Sequence, residues 1–125
     1  MSTFSFKDLV VWKKSMEFAS NILNMTEGIK GHFRLVEQLE ACAASVAQNI
    51  AEGKGRLSKK EFVYFLCISR GSLYETITLL NLFCGKGWIS NQELITFEKQ
   101  GIELTKMINS LISKERAKCT QNPKS

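Results

Sequence analysis

A single proline, at position 123, leaves the preceding residues of this 125-residue chain free of the ring that forces a break in helical backbone. Over that length the apolar residues gather into four stretches in which they recur at alternating steps of three and four, the spacing of one helical face. In the first stretch Leu9, Trp12, Met16, Ala19 and Leu23 make the line, with Ser5 and Asp8 placed to cap its start. The second, from about 33 to 52, repeats it with Leu35, Leu39, Cys42, Val46 and Ile50. Four alanines, Ala41, Ala43, Ala44 and Ala47, keep its flanks thin. The third opens on Ser58-Lys59-Lys60-Glu61 and the fourth on Ser90-Asn91-Gln92-Glu93, both reading as capping boxes. Their lines continue through Phe62, Phe65 or Leu66, Ser69, Leu73, Ile77 and Leu80, and through Leu94, Phe97, Gly101, Leu104, Ile108 and Leu111. No stretch sustains an alternation of period two, so no sheet is expected.

Glycine pairs mark the three connections: Gly28 and Gly31, Gly53 and Gly55, Gly85 and Gly87. Each stands where a helix ends and where a left-handed backbone suits glycine. Such short links make consecutive helices antiparallel and predict an all-α, up-down-up-down four-helix bundle. The expected domain is 1–118, with 119–125 a flexible basic tail. Helix 1 carries a second apolar line, Val11, Phe18, Ile22 and Met25, and helix 3 begins with the nearly all-apolar run Phe62 to Ile68. A helix apolar on several sides must be covered on several sides, which predicts a homo-oligomer with Val11, Phe18 and Ile22 at its interface.

Several function classes lose support at this level. The N-terminus has no basic segment followed by an apolar one, and no run approaches the roughly 18 apolar residues that span a bilayer. A cytoplasmic protein without a membrane partner is expected. Cys42, Cys67, Cys84 and Cys119 form no C-x-x-C pair and read as free thiols, the first three packed as small hydrophobes. His32 is the only histidine, there is no Glu-x-x-His motif, and the glycine-lysine stretch after helix 2 lacks phosphate-loop spacing. No catalytic residue, metal ligand or cofactor is expected, and the chain reads as a non-enzyme.

Two polar features remain. Ser45, Asn49 and Glu52 fall at four- and three-residue steps on helix 2, opposite Ser72 and Glu75 on helix 3. An isolated amide on the packing side of a helix is costly, so Asn49 is expected to bond Ser72 or Glu75 and fix the register of the pair. Gly71 and Gly101, inside helices, read as points of close contact. The net charge is +5, and it is concentrated. Lys54, Arg56, Lys59 and Lys60 stand together in the second link, and Lys114, Arg116 and Lys118 gather near the C-terminus, leaving a slightly acidic body.

Three strings, "FKDLVVWKKSMEFA", "LVEQLEACAASVAQNIAEGKGRLSKKEFVYFL" and "ISRGSLYETITLL", resemble the bacterial four-helix-bundle family of ribosomal-RNA intervening-sequence proteins. Its S-[IV]-x-x-N-I-A-E-G signature corresponds here to Ser45, Asn49, Glu52 and Gly53, with Val46 in place of the commoner isoleucine. Its G-S-x-x-E signature corresponds to Gly71, Ser72 and Glu75. The resemblance runs from Phe6 to about Ser113 and implies a left-handed antiparallel bundle assembled as a ring, typically a homopentamer. Distant relatives are accessory proteins of diversity-generating retroelements, where they bind nucleic acid and the reverse transcriptase.

In that topology the second link, the C-terminus and the N-terminus meet at one end, where two helices also present their positive dipole ends. Lys7, Lys54, Arg56, Lys59, Lys60, Lys114, Arg116 and Lys118 are then expected to form an anion-attracting surface for RNA or single-stranded nucleic acid. Arg56 adds a planar fork suited to phosphate. The alternative is a structural ring or protein-binding adaptor whose basic end only interacts with water.

Overall fold

The computed structural model describes residues 3–121, and all regular structure there is helical. A 3-10 turn at Ser5–Asp8 precedes α1 (Val10–Thr26), α2 (Phe33–Lys54), α3 (Lys59–Gly85) and α4 (Asn91–Gln121). Helix α4 therefore continues through residues 119–121, which the sequence assigns to a tail. Residues 122–125 of that tail lie outside the described residues.

Helices α1 and α3 each pack on both α2 and α4, with no close backbone approach across either diagonal among the described residues, so the four form a bundle around one core. Side-chain pairs give their directions. Between α2 and α3, Cys42 meets Glu75, Ser45 meets Ser72 and Gly53 meets Phe62, so the residue numbers run oppositely. Arg70 with Asn109 and Asn81 with Glu98 do the same for α3 and α4.

The caps explain where the helices begin. At α4 the box is complete: the Glu93 N–H donates to Ser90 Oγ at 3.0 Å and the Ser90 N–H to Glu93 Oε1 at 2.9 Å. At α3 the Glu61 N–H donates to Ser58 Oγ at 3.1 Å, but the Glu61 carboxylate meets the serine hydroxyl at 3.4 Å instead of its backbone N–H. Ser5 and Asp8 do not cap α1. They form the preceding 3-10 turn, and Leu9 stands at the cap position with no side-chain bond.

The inward face of α1 is the main departure from expectation. Val11, Phe18 and Ile22, expected at an oligomer interface, are buried in the monomer core, while Met16 and Leu23 are 47% and 43% exposed. The true line is Val11, Ser15, Phe18, Ala19, Ile22 and Thr26, and its two hydroxyls disguise it. Ser15 Oγ donates to Val11 O at 2.7 Å, and Thr26 Oγ1 to Leu23 O at 3.1 Å and to Glu40 Oε2 at 2.7 Å. A hydroxyl satisfied by its own helix is cheap to bury, so the polar interruption costs little.

The glycines also divide by role. Gly31 and Gly87 are left-handed, with φ of 79° and 75°, and His32 joins them at 57°. In the α2–α3 link neither glycine is left-handed: Gly53 lies inside α2 and Gly55 has φ −78°. Gly53 is there for space, since a Cβ on it would stand 2.7 Å from Phe65 Cβ. Gly101 is a close-contact point as expected, since a Cβ on it would stand 2.8 Å from Ile77 Cδ1, but a Cβ on Gly71 would meet nothing within 4 Å. Cys42 is buried, whereas Cys67, Cys84 and Cys119 are half-buried, and all four are free thiols. No helix among the described residues is long and apolar enough to cross a membrane.

Candidate nucleic-acid interface

Close approach of α2 and α3 at Gly53 builds the basic end. With α2 held against Phe62 and Phe65, the link must turn within a few residues, and its cations are thrown outward. The last turns of α4 arrive at the same place. Gly53, Lys54, Arg56, Leu57, Ser58, Lys59, Phe62, Glu115 and Lys118 together line a cleft of about 150 Å³.

The cations there are in unequal states. Arg56 is clamped: Nη2 pairs with Glu52 Oε1, Nη1 lies 3.9 Å from Glu61 Oε2, and the guanidinium stands 4.7 Å from the Phe65 ring centre. The acids that flank the cationic link thus hold its arginine. Lys118 pairs with Glu115 at 3.2 Å, and Glu115 is only 6% exposed. Lys54 stands over the Phe62 ring at 5.8 Å, a cation–π contact that leaves its charge uncompensated. Lys7, Lys54, Lys59, Lys60 and Lys114 make no ion pair among the described residues.

Not all eight expected cations converge. Lys54, Arg56, Lys59 and Lys118 share the cleft, and Lys60 projects from the first turn of α3. Lys7 sits on the N-terminal turn with its ammonium 5.7 Å from the Phe4 ring centre. Lys114 borders a separate groove between α1 and α4 with Leu9, Val10 and Met107. Arg116 points to the α3 flank, 4.0 Å from Cys67 Sγ. Charge alone does not reveal Glu115 or the rings beneath Lys54 and Arg56. The Phe62 and Phe65 spacing directly after the link is the available signal, since it places two rings on the side of α3 that faces the end of α2.

The polar seam is present but wired differently from expectation. Asn49 Nδ2 donates within α2, to Ser45 O and Ser45 Oγ, both at 2.9 Å, and does not reach Ser72 or Glu75. Ser45 makes the crossing, with its Oγ 2.8 Å from Ser72 Oγ. Glu75 accepts from Cys42 Sγ at 3.2 Å, and Glu52 leaves the seam for Arg56. Burial first, then the Glu75 carboxylate, pushes the Cys42 thiol up to about 11, so it stays protonated near neutral pH. At the far end His32 stacks on Trp88 with ring centres 3.7 Å apart, well separated in the fold from the cationic link.

The family model described as 23S rRNA-intervening sequence protein matches residues 7–110, which includes the link but stops short of Lys114, Arg116 and Lys118. Among solved structures, a protein of unknown function from the S23 ribosomal protein family of Bacteroides thetaiotaomicron is similar at 26% identity. The two superpose with a TM-score of 0.77 over 82% of this chain and 98% of that one. Neither description names an enzymatic activity. No curated protein matches the chain.

Proposed function

Because the chain belongs to the 23S rRNA-intervening sequence protein family, we propose that it is a non-catalytic RNA-binding protein, gripping phosphates with the basic end of its bundle and working as a ring of identical subunits. The observation that carries the RNA reading is the shared cleft, where the α2–α3 link and the end of α4 bring Lys54, Lys59 and Lys118 around one opening. Contacts of this kind are long-ranged, indifferent to sequence and sensitive to salt. Since Arg56 is already committed to two carboxylates and Lys118 to Glu115, the unpaired lysines Lys54 and Lys59 carry the phosphate contacts.

Changing Lys54, Lys59 and Lys60 together to glutamine tests this, because none makes an ion pair and the Ser58 cap survives. In a salt series with a single-stranded oligoribonucleotide, the variant should bind more weakly. Its slope of log affinity against log salt should be flatter by about 0.7 for each phosphate that the variant no longer neutralises. Identical affinities and slopes for parent and variant would leave the protein-binding adaptor as the better reading.

The ring rests on a surface other than the second apolar line of α1. Tyr64, Ile68, Gly71, Glu75, Thr78 and Leu82 alternate in steps of four and three along α3, and all are exposed. That is the spacing of a helix–helix seam. Gly71 lies near its middle, where glycine costs about 1 kcal/mol in a helix and no intrachain contact requires it. A neighbouring subunit approaching closely there accounts for it. Tyr64→Glu, at a side chain 62% exposed in the subunit, is expected to reduce the sedimenting mass without lowering the melting temperature of the subunit; an unchanged assembly would remove this face from the interface.

A further inference from the structure

Beside the cationic cleft lies a second, wider groove of about 560 Å³ between the N-terminal turn and the end of α2, lined by Phe6, Gln48, Ala51, Glu52, Gly55 and Arg56. Arg56 lines both spaces and so forms the partition between a phosphate-attracting cleft and an aromatic groove. Building on the RNA reading above, we infer that this groove takes an unpaired RNA base, stacked on Phe6, while the adjoining phosphates lie against the lysines of the link.

The chemistry of the walls fits a base better than a second phosphate. Phe6 is held by an edge contact with Trp12, ring centres 5.2 Å apart at 61°, and by Phe4 at 5.8 Å, so its orientation is fixed before anything binds. Glu52 spends Oε1 on Arg56, and Oε2 is left to accept from a base amino group. Gln48 is exposed on the turn before it and offers both a donor and an acceptor. A carboxylate in the groove repels a phosphate but suits a base edge. The volume lies within the range of about 300 to 1,000 Å³ typical of small-molecule sites. A base inside a duplex has its faces stacked and its pairing edge occupied, so only a splayed base can use such a wall.

The test uses Trp12 as a reporter. With Trp88→Phe in the background, Trp12 is the sole tryptophan, and it touches Phe6. The probes are a short single-stranded oligoribonucleotide and an abasic strand of the same length and charge. The base-bearing strand should bind roughly tenfold more tightly, as expected for one stacked base, and quench Trp12; the abasic strand should bind through its phosphates without quenching. Phe6→Leu, which keeps an apolar contact with Trp12, should erase the difference while leaving abasic binding unchanged. Equal binding of both strands by the Trp88→Phe protein, without quenching, would overturn the base site and leave the phosphate reading standing. If neither strand binds, the phosphate reading falls and this inference falls with it. Should Phe6→Leu fail to fold, the comparison of the two strands on the Trp88→Phe protein still decides.

Discussion

Replacing Phe18 with glutamate is expected to unfold the subunit, with loss of the cooperative thermal transition, instead of releasing a folded subunit from an assembly. Phe18 is 2% exposed, packs edge-on against Phe97 of α4 and is among the largest fully buried side chains. Truncation of such a ring alone costs about 3 to 5 kcal/mol, and a carboxyl group without a partner adds a further penalty on the order of a few kcal/mol. Together these rival the roughly 5 to 15 kcal/mol by which a domain of this size is stable. Circular dichroism and sedimentation of the variant separate the outcomes. A folded, well-melting monomer would mean that Phe18 faces a neighbouring subunit after all.

Two glycine-to-alanine changes, Gly53→Ala and Gly101→Ala, should behave differently although both positions are helical and tight. At Gly53 the new methyl would stand 2.7 Å from Phe65 Cβ and 3.0 Å from Phe62 Cδ1. A Cβ cannot swing aside, so α2 and α3 must separate. Overpacking of about 1 to 3 kcal/mol outweighs the gain in helix propensity of about 1 kcal/mol. At Gly101 the nearest atom is Ile77 Cδ1 at 2.8 Å, the free end of a flexible side chain. A rotamer change relieves it, and the propensity gain largely offsets the strain. Gly53→Ala should therefore lower the denaturant midpoint clearly and Gly101→Ala little. Equal midpoints would show that the α2–α3 contact yields as easily as the α3–α4 one.

Much of this architecture is legible in the sequence because its signals are local. The boxes at Ser58 and Ser90 announce two helix starts, and the glycine pairs locate all three connections. Periodicity finds the inward faces of α2, α3 and α4, where Leu39, Val46, Ile50, Leu73, Leu80, Leu104 and Ile108 are all buried. It fails on α1 because counting apolar residues favours the uninterrupted line through Met16 and Leu23 over one containing Ser15 and Thr26. What decides between those lines is a hydroxyl bonding to its own backbone, which residue type alone does not reveal. At the basic end the sum of charge is readable, but the pairing is not. The acids that hold Arg56 are Glu52, four residues before it, and Glu61, five residues after, and only the fold of the link brings both to one guanidinium.

The two greasy faces of α1 bear on how uniquely the chain specifies its own fold. Turning α1 about its axis would exchange Phe18 and Ile22 for Met16 and Leu23, an exchange of similar apolar content. Ser15 is satisfied by α1 itself and would be indifferent to such a turn. Polarity therefore separates the native arrangement from this competitor only weakly, through the bond from Thr26 to Glu40 of α2 and an exposed ion pair from Lys14 to Glu103 of α4. The remaining discrimination comes from shape: the rigid Phe18 ring fills the space against Phe97 that a flexible methionine would fill loosely. At this helix the energy gap that makes one packing dominate its near-degenerate alternative is carried by steric fit more than by the pattern of polar and apolar residues.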